Sequence, residues 1–202
     1  TGRTTAIVEA AETRVDLPVI EQLAPTGLAV VPRVMERIWD RLLVCDGNPE
    51  IWRELETLDD KKSSLGLNEA EAQRFDDLRN QLKVNVRRAL GGRLKYISYG
   101  GAAMPPRIMR FFALIGIPLI GSYGSTECGG VTLCGIGEDR PGNLGKPFAN
   151  VQIRIAADGE ILVRGPTVSP GYFKNPQATR EAFDAAGWYY TGDIGLIESD
   201  GS

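Results

Sequence analysis

The stretch that most constrains this chain is residues 121–130, GSYGSTECGG, which sets one aromatic ring, three hydroxyl groups and a single carboxylate between glycines directly after an apolar run. That run, Ile117-Pro118-Leu119-Ile120, reads as a short buried strand, so the motif is expected on the loop leaving the strand's carboxyl end. Open α/β sheets bind their ligands at such ends. Glycines at 121, 124, 129 and 130 let the backbone approach a ligand closely. Tyr123 offers a flat face for a base, Ser125 and Thr126 offer hydroxyls, and Glu127 is the segment's one charge. A lone carboxylate repels phosphate, so a phosphate ligand here implies a bridging divalent cation with oxygen ligands, magnesium being the expected one. The bland alternative, a glycine-rich turn with a solvated Glu127, fits the string alone equally well.

Composition removes several function classes. At 202 residues the chain can bury a full core without disulfides or metals. A formal charge of -3 and a pI near 5.2, with no basic stripe, argue against a nucleic-acid-binding surface. There is no histidine, which excludes His-based triads and the usual zinc sites within this chain. Cys45, Cys128 and Cys134 share no metal-ligand spacing and read as reduced thiols of a cytoplasmic protein. The longest apolar run, Phe111 to Ile120, is too short to span a bilayer and is broken by Gly116 and Pro118.

In chain order, Thr4 to Val8 has strand character. Asp16 looks like an N-cap for a helix over Leu17 to Leu23, and Leu28 to Val31 is expected as a second strand, making a βαβ unit. Met35, Ile38, Trp39 and Leu42 then recur at helical spacing. Asn48-Pro49 is expected to open another helix, with Asn48 as cap, carrying Ile51, Trp52, Leu55 and Leu58. Asn68 and Glu71 resemble a capping box before a helix whose apolar stripe, Phe75, Leu78, Leu82, Val86 and Leu90, ends at Gly91-Gly92. Its basic residues, among them Arg79, Lys83, Arg87 and Arg88, read as a solvated face. A strand over Leu94 to Tyr99, a helix over Pro105 to Ala113 and the strand before the motif give a further βαβ unit. The loop Gly100-Gly101-Ala102-Ala103 and the segment Ser122 to Glu127 would then share one edge of a parallel sheet.

After about residue 140 the texture turns to β. Val151, Ile153 and Ile155 alternate with polar residues up to a turn at Asp158-Gly159, and Glu160 to Arg164 returns as a hairpin partner. A short helix over Pro176 to Phe183 follows. Trp188 to Tyr190 and Ile194 to Glu198 are expected as two further strands of a small barrel-like subdomain, with Thr191-Gly192-Asp193 between them.

Three strings, YGSTE at 123–127, GEILVRGPTVSPGYFKNPQAT at 159–179 and GWYYTGDIG at 187–195, together resemble the adenylate-forming (AMP-binding) superfamily in order and approximate spacing. PTGLAVVPR at 25–33, followed by a charged helical insertion near 34–90, resembles its long-chain fatty-acyl-CoA synthetase branch. The resemblance implies an α/β fold, with parallel-sheet layers and flanking helices over 1–140 and a β-barrel-like subdomain over 141–202. It implies activation of a fatty acid by ATP to an acyl-adenylate, followed by transfer to CoA, or to the phosphopantetheine of a carrier protein or a reductase; an inactive nucleotide-binding module is a further reading.

Carried over residue by residue, Tyr123 would stack on adenine, Thr126 would bond the α-phosphate, Glu127 would hold Mg2+ and Asp193 would accept from the ribose hydroxyls. Thr126 and Glu127 would be catalytic, with Gly100, Gly101, Ala102, Ser122, Gly124 and Ser125 completing the nucleotide site. Arg164, Tyr172 and Trp188 fall in the same motifs and are expected to serve as strand surface, turn packing and barrel core. No glycine-rich, Thr/Ser-rich phosphate loop of the kind that family carries upstream is found, and its hinge and C-terminal lid with the catalytic lysine would lie beyond Ser202. The chain therefore resembles an internal fragment without the C-terminal lid, expected to be inactive alone, cytoplasmic and compatible with peripheral membrane contact.

Overall fold

The computed structural model describes residues 17–44 and 48–202. The expected strand over Thr4 to Val8, the Asp16 cap and Cys45 lie outside the described residues. The chain divides into two compact units, one taking residues up to Ser98 together with Met104–Leu119, the other taking Tyr99–Ala103 and Ile120–Ser202.

The first unit is mostly helical around short strands. It holds α1 (Leu17–Leu23), β1 (Gly27–Val30), α2 (Pro32–Val44), α3 (Asn48–Ser64), α4 (Glu69–Ala89), α5 (Pro106–Leu114) and most of β2 (Tyr96–Tyr99). Apolar residues at three- and four-residue spacing put Met35, Ile38 and Leu42 of α2, Leu55 of α3 and Leu78 and Leu82 of α4 in a dry core. Phe111 of α5 meets Trp39, Trp52 and Phe112 edge to face at 5.0–6.3 Å. The capping box at Asn68 forms as expected, with Glu71 N–H on Asn68 Oδ1 at 2.9 Å and Asn68 N–H on Glu71 Oε2 at 3.2 Å. Asn48 departs from expectation. Its amide donates to Leu42 O at 2.6 Å and its carbonyl oxygen accepts from Asn85 at 2.9 Å, so it is a buried link between helices rather than a cap of its own.

Lys95 N–H donates to Thr26 O and Ile97 N–H to Pro118 O, each just at or before a strand start, so β1, β2 and the next strand begin side by side and run parallel. That next strand, β3, spans Leu119–Ser125. It is longer than expected and takes in most of the glycine-rich motif. The cause is a partner that local propensity does not show: β4 (Gly129–Leu133) folds back antiparallel, pairing Tyr123 with Thr132 and Ser125 with Gly129. The motif is therefore a strand end and a tight hairpin turn, not an open loop. β5 (Lys146–Pro147) pairs with β4, completing the order β1-β2-β3-β4-β5. Gly124 is fixed by this hairpin, because a Cβ there would sit 2.0 Å from Gly129 O.

The rest of the second unit is a three-stranded antiparallel sheet, β6 (Gln152–Ile155), β7 (Glu160–Arg164) and β8 (Tyr189–Ile194), with α6 (Pro176–Ala182) between β7 and β8. The β6–β7 register, Ile155 opposite Ile161 across the Asp158-Gly159 turn, matches the alternation in the sequence. Thr191, Gly192 and Asp193 lie inside β8, and no strand forms over Ile194 to Glu198 as a separate element. Gly192, at φ +76°, lets β8 continue while its N–H donates to Glu160 Oε1. Beyond it, Ile194, Leu196 and Ile197 are exposed. Trp188 is not core either. It is half-buried, and the guanidinium groups of Arg154 and Arg164 both lie over its ring, at 4.8 and 4.7 Å from the centroid. The core of this unit is Cys128, Val131, Ile161, Val163 and Tyr189, with Tyr123 packed against it.

Candidate functional site

An open groove of about 340 Å³ lies in the second unit, walled by Gly101, Ser122, Tyr123, Gly124, Ser125, Thr126, Gly129 and Gly130. The β3–β4 hairpin supplies seven of these eight residues, and the Gly100–Ala103 segment supplies the remaining one. Four of the eight are glycines, so the groove is bounded largely by backbone.

Each polar group of the motif has a definite station. Ser122 Oγ donates to Tyr99 O at 2.9 Å, tying β3 to the residue before Gly100. Gly100 has no room for a side chain, since a Cβ would stand 2.6 Å from Ser122 Oγ. Ser125 Oγ accepts from Glu127 N–H at 3.2 Å and lies 3.3 Å from Cys128 Sγ, so this hydroxyl is occupied in closing the turn. Thr126 is exposed at the groove's rim. Cys128 and Cys134 are both buried free thiols, consistent with a packing role.

Tyr123 is the junction of the site. Its hydroxyl donates to Asp193 Oδ2 at 2.6 Å, joining two motifs 70 residues apart. Burial, and then the hydrogen bond to Asp193, raise the phenol's pKa well above its ordinary value, so it is a stable donor. Ala102, Glu127 and Asp193 do not wall the groove itself; Asp193 is brought to it through Tyr123 and Glu127 by chain connectivity to Thr126.

Glu127 sits in the turn with its carboxyl held below the usual carboxylate range, first by Ser125, then by its own backbone N–H and by Tyr172. Tyr172 O–H donates to Glu127 Oε1 at 3.0 Å. Sequence reasoning assigned Tyr172 to turn packing and missed this contact, because nothing local in the 159–179 string shows that its tyrosine reaches a carboxylate 45 residues earlier. Gly129 and Gly130 were likewise missed as groove walls. Their adjacency to the motif was visible, but the hairpin that folds them back was not.

The carboxylate and hydroxyl donors are hard oxygen ligands. No group of three or more His, Cys, Asp or Glu gathers among the described residues, so there is no closed all-protein cage. No helix among them is long and apolar enough to cross a membrane.

A comparison with known families matches residues 1–173 to the model for AMP-binding enzymes. The chain is 34% identical over 199 residues to the long-chain-fatty-acid–CoA ligase FadD15 of Mycobacterium tuberculosis, covering 92% of this chain and 32% of that protein. It is 33% identical over 190 residues to long-chain-fatty-acid–CoA ligase 6 of Homo sapiens, covering 87% and 27%. Among solved structures it resembles a malonyl-CoA ligase in ternary product complex with methylmalonyl-CoA and AMP, at TM-score 0.59 and 27% identity over 93% of this chain and 35% of that one. The chain thus spans about a third of the length of the curated relatives it matches. With a parallel-stranded α/β fold, a glycine-walled groove at the Tyr123–Glu127 hairpin and this family match over most of its length, the chain belongs to the family of AMP-binding enzymes.

Proposed function

We propose that this chain is the nucleotide- and metal-binding part of a long-chain fatty-acyl-CoA ligase. In the first step a fatty-acid carboxylate oxygen attacks the α-phosphorus of ATP and pyrophosphate leaves. In the second, the CoA sulfur attacks the acyl carbonyl, the thiol proton is lost to solvent and AMP leaves. The observation that carries this reading is the 2.6 Å bond from Tyr123 to Asp193 beside the glycine-walled groove. It sets a flat ring and an acceptor for vicinal hydroxyls side by side, which is the pairing a nucleoside needs. Thr126, exposed at the rim, would bond the α-phosphate, and Gly101, which has open space where a side chain would stand, supports close approach of a ligand at the groove's edge.

A magnesium ion fits this donor set. The Glu127 carboxylate, in the turn beside groove walls that carry hydroxyls and no Lys or Arg, suits a small hard cation that takes one or two protein carboxylates and completes its shell with phosphate oxygens and water. Glu127 would hold it, and when bound it would offset the negative charge of the triphosphate. The names of the curated relatives support long-chain fatty acids as the acyl class and CoA as the thiol.

The test is fatty-acid-dependent ATP–pyrophosphate exchange by the complete protein that carries this chain, wild type against Glu127→Gln. Exchange with long-chain acids is expected, with the variant impaired at limiting magnesium and partly restored by excess. No exchange with any fatty acid, or a variant indistinguishable from wild type at limiting magnesium, would overturn the reading.

A further inference from the structure

Glu127 is held from three directions, and two of them come from one distant segment. Its N–H rests on Ser125 Oγ at 3.2 Å. Its carbonyl oxygen accepts from Ser169 N–H at 2.7 Å, and its carboxylate accepts from Tyr172 O–H at 3.0 Å. The 169–172 segment thus grips both the backbone and the side chain of the turn's one charged residue.

Tyr172 is itself built into place. Its N–H donates to Thr179 Oγ1 at 2.9 Å, and that hydroxyl donates to Asn175 O at 2.8 Å, fastening the tyrosine to the first turns of α6. Gly171, at φ +135°, lies so close to Thr179 that a Cβ would stand 2.4 Å from Thr179 Cγ2. The Tyr172 ring meets Phe183 edge to face at 5.9 Å, and Phe183 packs on the buried Tyr189 at 5.1 Å. A surface tyrosine kept only for turn packing would not need its hydroxyl aimed at a carboxylate. Here the ring is anchored at its base and flank while the hydroxyl reaches outward to Glu127.

We infer that Tyr172 is a positioning residue for the metal-binding carboxylate: its hydroxyl fixes the orientation of Glu127 in advance, so that the carboxylate meets the magnesium–nucleotide complex without first losing its rotational freedom. This rests on the assignment of Glu127 as metal ligand proposed above. A phenol suits the task because it orients a carboxylate without neutralising it, whereas a lysine or arginine would compete with the cation for the same charge.

Tyr172→Phe keeps the ring on Phe183 and removes only the hydroxyl. In the complete protein, Mn2+ binding in the presence of a non-hydrolysable ATP analogue, followed by water-proton relaxation, gives a readout independent of turnover. The half-saturating Mn2+ concentration is expected to rise severalfold in Tyr172→Phe and further in Glu127→Gln. In ATP–pyrophosphate exchange, Tyr172→Phe should raise the magnesium requirement severalfold yet regain the wild-type maximal rate at saturating magnesium. If Glu127→Gln weakens Mn2+ while Tyr172→Phe binds it as wild type does, the positioning role is wrong and the metal assignment stands. If Glu127→Gln itself leaves Mn2+ binding unchanged, the metal assignment fails and the positioning role with it.

Discussion

Gly100→Ala should destabilise the second unit through one specific collision, and the collision can be removed by a second substitution. A methyl at position 100 would stand 2.6 Å from Ser122 Oγ and 3.2 Å from Ser122 O. The Oγ cannot keep its 2.9 Å bond to Tyr99 O with a carbon at that distance, so Ser122 must leave its rotamer. Losing that bond costs about 1 kcal/mol. Crowding of a packed strand adds about 1–3 kcal/mol. Ser122→Ala alone forfeits only the bond, again about 1 kcal/mol. Once Oγ is gone, Gly100→Ala meets only Ser122 O at 3.2 Å, a contact that a small backbone shift relieves. The bond is then lost once rather than twice and most of the crowding is relieved, so the double variant should be less destabilised than the sum of the singles by about 2–3 kcal/mol, at the upper end of the range seen for residues in direct contact. Urea unfolding followed by the fluorine resonance of 5-fluorotryptophan at Trp188 reports the second unit separately from Trp39 and Trp52 in the first. Additive costs, or a Gly100→Ala variant as stable as wild type, would refute the steric account. A second consequence follows for the site: the small residue at 100 serves the β2–β3 connection before it serves any ligand.

What the sequence displayed clearly was whatever is decided within a few residues. The capping box at Asn68 and Glu71 and the stripe from Phe75 to Leu90 are local, and α4 forms as read. The β6–β7 hairpin is equally local, since alternation and the Asp158-Gly159 turn together fix its register. The motif residues Tyr123 to Thr126 stand together at one groove, as their clustering suggested. What escaped was decided by partners far along the chain. Glycine-rich GSYGS has poor strand propensity, yet it is strand because β4 returns to pair with it. Ile194 to Glu198 has apolar alternation, but among the described residues no strand pairs with the chain beyond β8. Trp188 was expected as barrel core, yet it stays half-buried with the guanidinium groups of Arg154 in β6 and Arg164 in β7 over its ring. Tyr172 reaches Glu127 and Tyr123 reaches Asp193 across 45 and 70 residues, distances at which no spacing rule operates.

Asn68→Ala should cost about 1 kcal/mol by removing the capping oxygen from Glu71 N–H, and faster amide exchange confined to the first turn of α4 is the measurement that checks it. Stability should fall as pH rises above about 10, the ordinary tyrosine value. Tyr99 and Tyr123 both have raised pKa values in the fold, from burial first and then from their bonds to Asp139 and Asp193, so their contribution is complete below the unfolded value and is lost toward the folded one. Alkaline unfolding should be shallower in Tyr99→Phe and Tyr123→Phe than in wild type. Tyr123→Phe also separates the two halves of the proposed nucleoside site. The substitution keeps the ring that would stack on adenine and frees Asp193 Oδ2 from its 2.6 Å partner. A hydrogen bond to a charged group contributes about 1.5–3 kcal/mol when buried. Asp193 is exposed, so solvent competes for the freed carboxylate and the loss should be nearer 1 kcal/mol, roughly fivefold in ATP affinity. That loss should act through the ribose alone. Calorimetric titration of the complete protein with ATP and with 2′,3′-dideoxy-ATP decides it: wild type should prefer ATP, and Tyr123→Phe should weaken ATP while leaving the dideoxy analogue nearly unchanged. An equal loss for both nucleotides would show that the hydroxyl supports the ring rather than orienting Asp193 toward the sugar.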